Sequence, residues 1–177
     1  ELDIDHNDSA LVIMYQGQSS ELQLNAEYQL LRQVLSAPFY KAIRTDQQLG
    51  YVVGALSRET EKVPSMVFYV QSPKAGPVEL TRRIDTFVSD FYRTFDSMSD
   101  ADFDSHKEGL INSIMQKETT MVSRSVRYKD ELAAGYTAFD KREKLVEAIK
   151  ALTKQDIKMT LKREIVESKS RLISRNF

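Results

Sequence analysis

Cysteine is absent from the 177 residues, which excludes disulfides, a thiolate metal site and a cysteine nucleophile in this chain. Histidine is nearly absent, with only His6 and His106; a helical two-histidine zinc motif, His-x-x-Glu-His or its relatives, does not occur. The six glycines are scattered singly, so no glycine-rich loop can cradle a phosphate. The longest wholly apolar run is Ala10 to Tyr15, far short of the roughly 20 residues that span a bilayer. Charge of one sign is missing too. Lys and Arg total 25 against 26 Asp and Glu, so no net field steers the chain to nucleic acid or to an anionic membrane. No linker, repeat or low-complexity tract divides it. The sequence starts at Glu1 with no leader pattern, which reads as a mature or excised piece.

What is present is ordinary globular material, 41% hydrophobic and 29% charged, enough for one domain over residues 1–177 with a full core. Ala10–Gln16 follows the polar Asn7-Asp8-Ser9 and reads as a buried strand. From Ser20, Leu24, Tyr28, Leu31 and Leu35 recur at helical spacing, with Ser19 or Ser20 as N-cap. Pro38 is expected to bend or restart this helix, which continues through Ile43. Strands follow from Tyr51 and over Ser65–Gln71, the latter apolar in both alternating sets and so expected to be covered on both faces. The second half is helical: Pro77 opens one helix, Ser99-Asp100-Ala101-Asp102 starts the next with Phe103, Leu110, Ile114 and Met115 inward, and Ser123 or Ser125 opens a third ending near Gly135. Lys141–Leu152 and Lys154–Val166 supply two more, the second capped by Thr153, and Arg171–Ser174 forms a last strand. The order predicts an α+β fold: a mixed, largely antiparallel sheet of about four strands with helices packed on one face.

Few residues offer chemistry. His6 lies among Asp5, Asn7 and Asp8, where turn and cap duties account for the cluster as well as metal binding does. His106 stands one helical turn after Asp102, which predicts an exposed ion pair. Lys117, Arg124, Arg127 and Lys129 alternate with Glu118, Asp130 and Glu131, the pattern of a solvated face. The segment Phe39-Tyr40-Lys41-Ala42-Ile43-Arg44-Thr45-Asp46-Gln47-Gln48-Leu49-Gly50-Tyr51-Val52-Val53 stands apart. In one reading Arg44 is a cation at a helix C-terminus and Tyr51 a core aromatic. In the other, both converge on one sheet edge and offer a permanent cation and a neutral hydroxyl donor. Gly50 is expected to serve a backbone conformation that a side chain would penalise; Gln47 and Gln48 either orient Arg44 or face solvent.

Arg44-Thr45 followed by Gln48-Leu49-Gly50-Tyr51 resembles a signature in the last domain of the insulinase/pitrilysin family of zinc metalloendopeptidases. Asn7–Val12 with Tyr15-Gln16, Phe68–Pro73, and Phe139–Glu143 extend the likeness over nearly the whole chain, nearest to bacterial, periplasmic members. The resemblance implies the family's α+β domain fold and a parent enzyme that binds zinc in its first domain through an inverted His-x-x-Glu-His motif, absent here. It implies no metal ligand in this chain, which would be inactive alone. Its partners would be the N-terminal catalytic half of the same polypeptide and a small polypeptide substrate enclosed between the two. Arg44 would bind substrate and Tyr51 would contact both substrate and the developing oxyanion. The alternative is a non-catalytic structural or peptide-binding domain. An excised domain would also expose its former interdomain surface and be prone to self-association.

Overall fold

A computed structural model describes residues 8–176, with elements β1 (Ser9–Gln16), α1 (Leu22–Tyr40), β2 (Val52–Thr60), β3 (Val63–Ser72), α2 (Pro77–Thr94), α3 (Asp100–Met115), α4 (Met121–Ala133), α5 (Lys141–Ala151), α6 (Lys154–Thr160) and β4 (Arg171–Asn176). Helices α1 and α6 each run on into a π-helical turn, Lys41–Asp46 and Leu161–Val166. The four strands lie in the order β2-β3-β1-β4. Every neighbouring pair is antiparallel, with Ile13 opposite both Phe68 and Ile173. β1 and β2, joined across α1, do run the same way, but β3 is inserted between them, so the largely antiparallel sheet expected contains no parallel pairing.

Strand alternation decides which face is buried. Leu11, Ile13 and Tyr15 on β1, Val53 and Ala55 on β2, and Met66, Phe68 and Val70 on β3 turn inward and are buried. Against them pack α1, through Tyr28, Leu31, Leu35 and Phe39, and α2, through Leu80, Ile84 and Val88. Helices α3 and α5 cover the other side of α1. Phe39 sits at the centre, edge-on to Phe68 at 5.0 Å and to Phe87 at 5.2 Å. Fully burying such a side chain is worth about 1.5–3 kcal/mol.

The opposite face of the sheet is only partly covered. Leu56, Val67, Met14 and Leu172 stand side by side across all four strands, and Leu172 is 61% exposed. Cover on both faces of β3 therefore fails: Met66, Phe68 and Val70 are buried, while Val67, Tyr69 and Gln71 are half-buried, because α1 and α2 pack against the side that carries Met66, Phe68 and Val70. Met115, expected inward, is 46% exposed at the last turn of α3.

Several boundaries follow local chemistry. Ser99 accepts from the Asp102 N–H and starts α3. Thr120, not Ser123 or Ser125, caps α4, with Ser123 donating its backbone N–H to the Thr120 hydroxyl. The N-cap position of α1 is Glu21 rather than Ser19 or Ser20. Pro38 does not break α1. It withholds an N–H from the helical ladder, and three residues later the helix widens into a π turn instead of stopping.

Candidate functional site

The π turn carries Arg44 around the end of α1. Its wide closure is visible in the Gln47 N–H reaching the Ala42 carbonyl at 3.2 Å and Leu49 N–H reaching Ile43 at 3.0 Å. Gln48 then takes a left-handed backbone, φ 50°, and the chain reverses into β2. Gly50 is needed here for space, not for an unusual φ. A Cβ on it would lie 2.6 Å from the Gln71 carbonyl oxygen and 2.8 Å from Val70 Cγ1. The Ser72 hydroxyl pins the same corner by donating to the Leu49 carbonyl and accepting from the Lys74 and Ala75 N–H groups. Tyr51 N–H donates to the Gln71 carbonyl at 3.1 Å and extends the ladder by one residue.

The corner brings Arg44 and Tyr51 onto one groove of about 490 Å³, lined by Tyr40, Arg44, Thr45, Gln48, Gly50, Tyr51, Pro73 and Lys74. Arg44 is half-buried and donates through Nη1 to the Gly50 carbonyl at 2.9 Å. This bond engages one edge of the guanidinium, which has five N–H donors in all. Tyr51 is 45% exposed, so it is not a core aromatic. Its hydroxyl donates to Asp8 Oδ2 at 2.6 Å, and Gln71 Nε2 reaches the same oxygen at 3.5 Å. The bond to Asp8 foremost, then loss of water and the Asp8 charge, push the Tyr51 phenol above its ordinary pKa. It therefore keeps its proton at neutral pH. Among the described residues Arg44 and Lys74 are the charged members of the lining, which also carries the hydroxyls of Tyr40, Thr45 and Tyr51, with the Asp8 carboxylate against the Tyr51 hydroxyl.

Other candidates fall elsewhere. His6 lies outside the described residues. His106 is half-buried on α3, and the Asp102 carboxylate accepts from the Ser99 hydroxyl at 2.7 Å. Gln47 and Gln48 are both exposed, and Gln48 borders the groove. Among the described residues no group of three or more His, Cys, Asp or Glu side chains could hold a metal ion. The alternating charges of α4 are not a simply solvated face. Arg127 bridges Glu118 at 2.7 Å and Glu131 at 2.8 Å, and Glu131 is buried, because α5 brings Arg142 onto Glu118 from the other side. The sequence does not single out Tyr40 and Lys74 of the lining, and it marks Asp8 only within the cluster around His6, not as a partner of Tyr51. Tyr40 lies inside the segment that did stand out, whereas Lys74 and Asp8 reach the corner only through the pairing of β1, β3 and β2.

Comparison with known proteins identifies the family and the fold. Residues 30–129 match the family described as PQQ synthase PqqF-like, C-terminal lobe domain 4. Insulin-degrading enzyme of Homo sapiens is 28% identical over 152 residues, which is 86% of this chain and 15% of that enzyme. The crystal structure of pitrilysin superposes with a TM-score of 0.88 and 26% identity, over 97% of this chain and 18% of pitrilysin. The periplasmic protease PqqL from Escherichia coli shares the fold, with a TM-score of 0.70 at 9% identity over 97% of this chain and 19% of PqqL. The chain spans about 15% of the length of the curated relatives it matches.

Proposed function

The chain belongs to the PqqF-like C-terminal lobe domains of the insulinase/pitrilysin zinc proteases, and from that premise we propose that it is the last domain of such an enzyme, closing the substrate chamber and lending Arg44 and Tyr51 to the reaction. The observation that carries this reading is their convergence on one accessible groove. Zinc proteases among its relatives support a metal in the parent enzyme; this reading assigns that metal to another part of the polypeptide and gives this chain the role of binding and orienting.

Hydrolysis of a peptide bond passes through a tetrahedral species whose carbonyl oxygen carries negative charge. A fixed donor aimed at that oxygen lowers the barrier because the charge exists only then. Tyr51 offers such a donor, half in solvent and protonated at neutral pH. Arg44, tied to Gly50 by one edge, presents its remaining N–H groups to backbone carbonyls of an extended substrate and fixes its register. The reading makes the substrate a polypeptide, the partner the N-terminal half of the same chain, and the compartment the periplasm. Nothing among the described helices is long and apolar enough to cross a membrane. The exposed row at Leu56, Val67, Met14 and Leu172 is the surface by which the isolated domain would self-associate.

A second reading, a non-catalytic domain, draws support from the same hydrogen bonds: Arg44 to Gly50 and Tyr51 to Asp8 could serve the corner alone. Kinetics of the intact protease separate the two. Tyr51→Phe is expected to lower kcat about 10²-fold with KM nearly unchanged, and Arg44→Ala to damage kcat and KM together. Wild-type kinetics from both variants, with folding intact, would leave only the second reading.

A further inference from the structure

The phenol that this reading places in the reaction is held by one residue from a different strand. Tyr51 stands directly before β2, at the end of the corner, with nearly half its surface in water. An aromatic so exposed has several open rotamers. What singles one out is Asp8, just ahead of β1, whose Oδ2 accepts the phenolic proton at 2.6 Å. That distance is typical of a charge-assisted hydrogen bond, about twice as strong as a neutral one. Asp8 is itself placed by the sheet: Ser9 is opposite Ser72 and Ala10 opposite Gln71, so the residue before them meets the Gln71 amide, 3.5 Å from the same oxygen. The contact spans 43 residues of sequence and crosses the end of β3, tying β1 to the start of β2.

Building on the proposed role of Tyr51, we infer that Asp8 is a positioning residue for the reaction, acting through Tyr51 by fixing where its oxygen stands over the groove. In the resting protein the single phenolic proton points at Asp8. The phenolic hydrogen can turn about the Cζ–Oη bond, so a developing oxyanion on the groove side takes it over from Asp8; Asp8 sets where Oη waits before the reaction and gives up its bond as the charge develops. Gln71 remains a donor to the carboxylate in that state. Asp8 touches neither substrate nor reacting atoms. The raised pKa of Tyr51, caused first by this bond, matches the arrangement.

A double-mutant cycle in the intact protease tests this. Asp8→Ala should lower kcat about tenfold with little change in KM, since displacing a catalytic group by a fraction of an ångström already costs this much. Asp8→Asn, which keeps an acceptor oxygen at the same place, should restore most of the loss; a merely structural lesion would not divide in this way. In a Tyr51→Phe background, Asp8→Ala should cost nothing further. Equal losses from Asp8→Ala in both backgrounds, or a rise in kcat on Asp8→Ala, overturns the positioning role while leaving that of Tyr51 intact. A silent Tyr51→Phe removes the underlying reading instead, so the two failures are distinguishable.

Discussion

Gly50 shows how much a single residue can decide. The sequence marks it as a corner, and a corner glycine suggests a left-handed backbone. The structure gives that conformation to Gln48 instead and uses Gly50 to let two strands approach, with the Gln71 carbonyl where a methyl group would go. Close approach of a distant strand cannot be read from neighbours in sequence, so the glycine was legible and its reason was not. Gly50→Ala must push β3 away from the corner, and it should destabilise the domain by about 1–3 kcal/mol, measured as a fall in the midpoint of chemical denaturation. A midpoint within error of wild type would mean that the corner yields more easily than its packing implies. The pair Arg44 and Tyr51 was legible because a six-residue motif, Arg44-Thr45 and Gln48-Leu49-Gly50-Tyr51, holds them. Their partners were not: Lys74 and Asp8 enter through strand register, to which hydropathy is blind.

At the level of elements, helices with a polar cap and an apolar stripe were the easiest to read. Thr153 begins α6 through a full capping box, its hydroxyl taking the Asp156 N–H and the Asp156 carboxylate taking the Thr153 N–H. The carboxylate also accepts from the Thr153 hydroxyl at 2.7 Å; that bond first, then the one from the Thr153 N–H, holds the Asp156 carboxyl below the usual range, so this box is intact above the ordinary carboxylate pKa and lost as pH falls through the lowered one. Thr153→Ala should cost about 1 kcal/mol of stability at neutral pH, with the difference from wild type shrinking as the solution is acidified; an equal difference at both pH values would show that the cap contributes nothing through Asp156. The π turns were illegible, because an apolar pattern of period 3.6 runs through α1 whether its last turn closes on the fourth or the fifth residue. Yet that extra width sets where Arg44 leaves the helix. The outer face of β3 misled for a related reason: Val67 and Tyr69 are apolar, but α1 and α2 pack against the other side.

Across the whole molecule, the sheet gathers what the sequence disperses. Asp8 from the start of β1, Arg44 from the end of α1, Tyr51 from the start of β2 and Lys74 beyond β3 meet at one end of the sheet, above a core whose largest side chains are wholly buried. Leu56 and Leu172 leave apolar surface on the sheet's far face, as the proposal that the domain works against another part expects. The remainder of the protease, prepared without this domain and mixed with the separately produced chain, gives the most direct test. Cleavage of a fluorogenic peptide should reappear with the wild-type chain and fail with the Tyr51→Phe chain at matched binding. Equal cleavage with both chains would contradict the account, because the phenol would then have no part in the reaction.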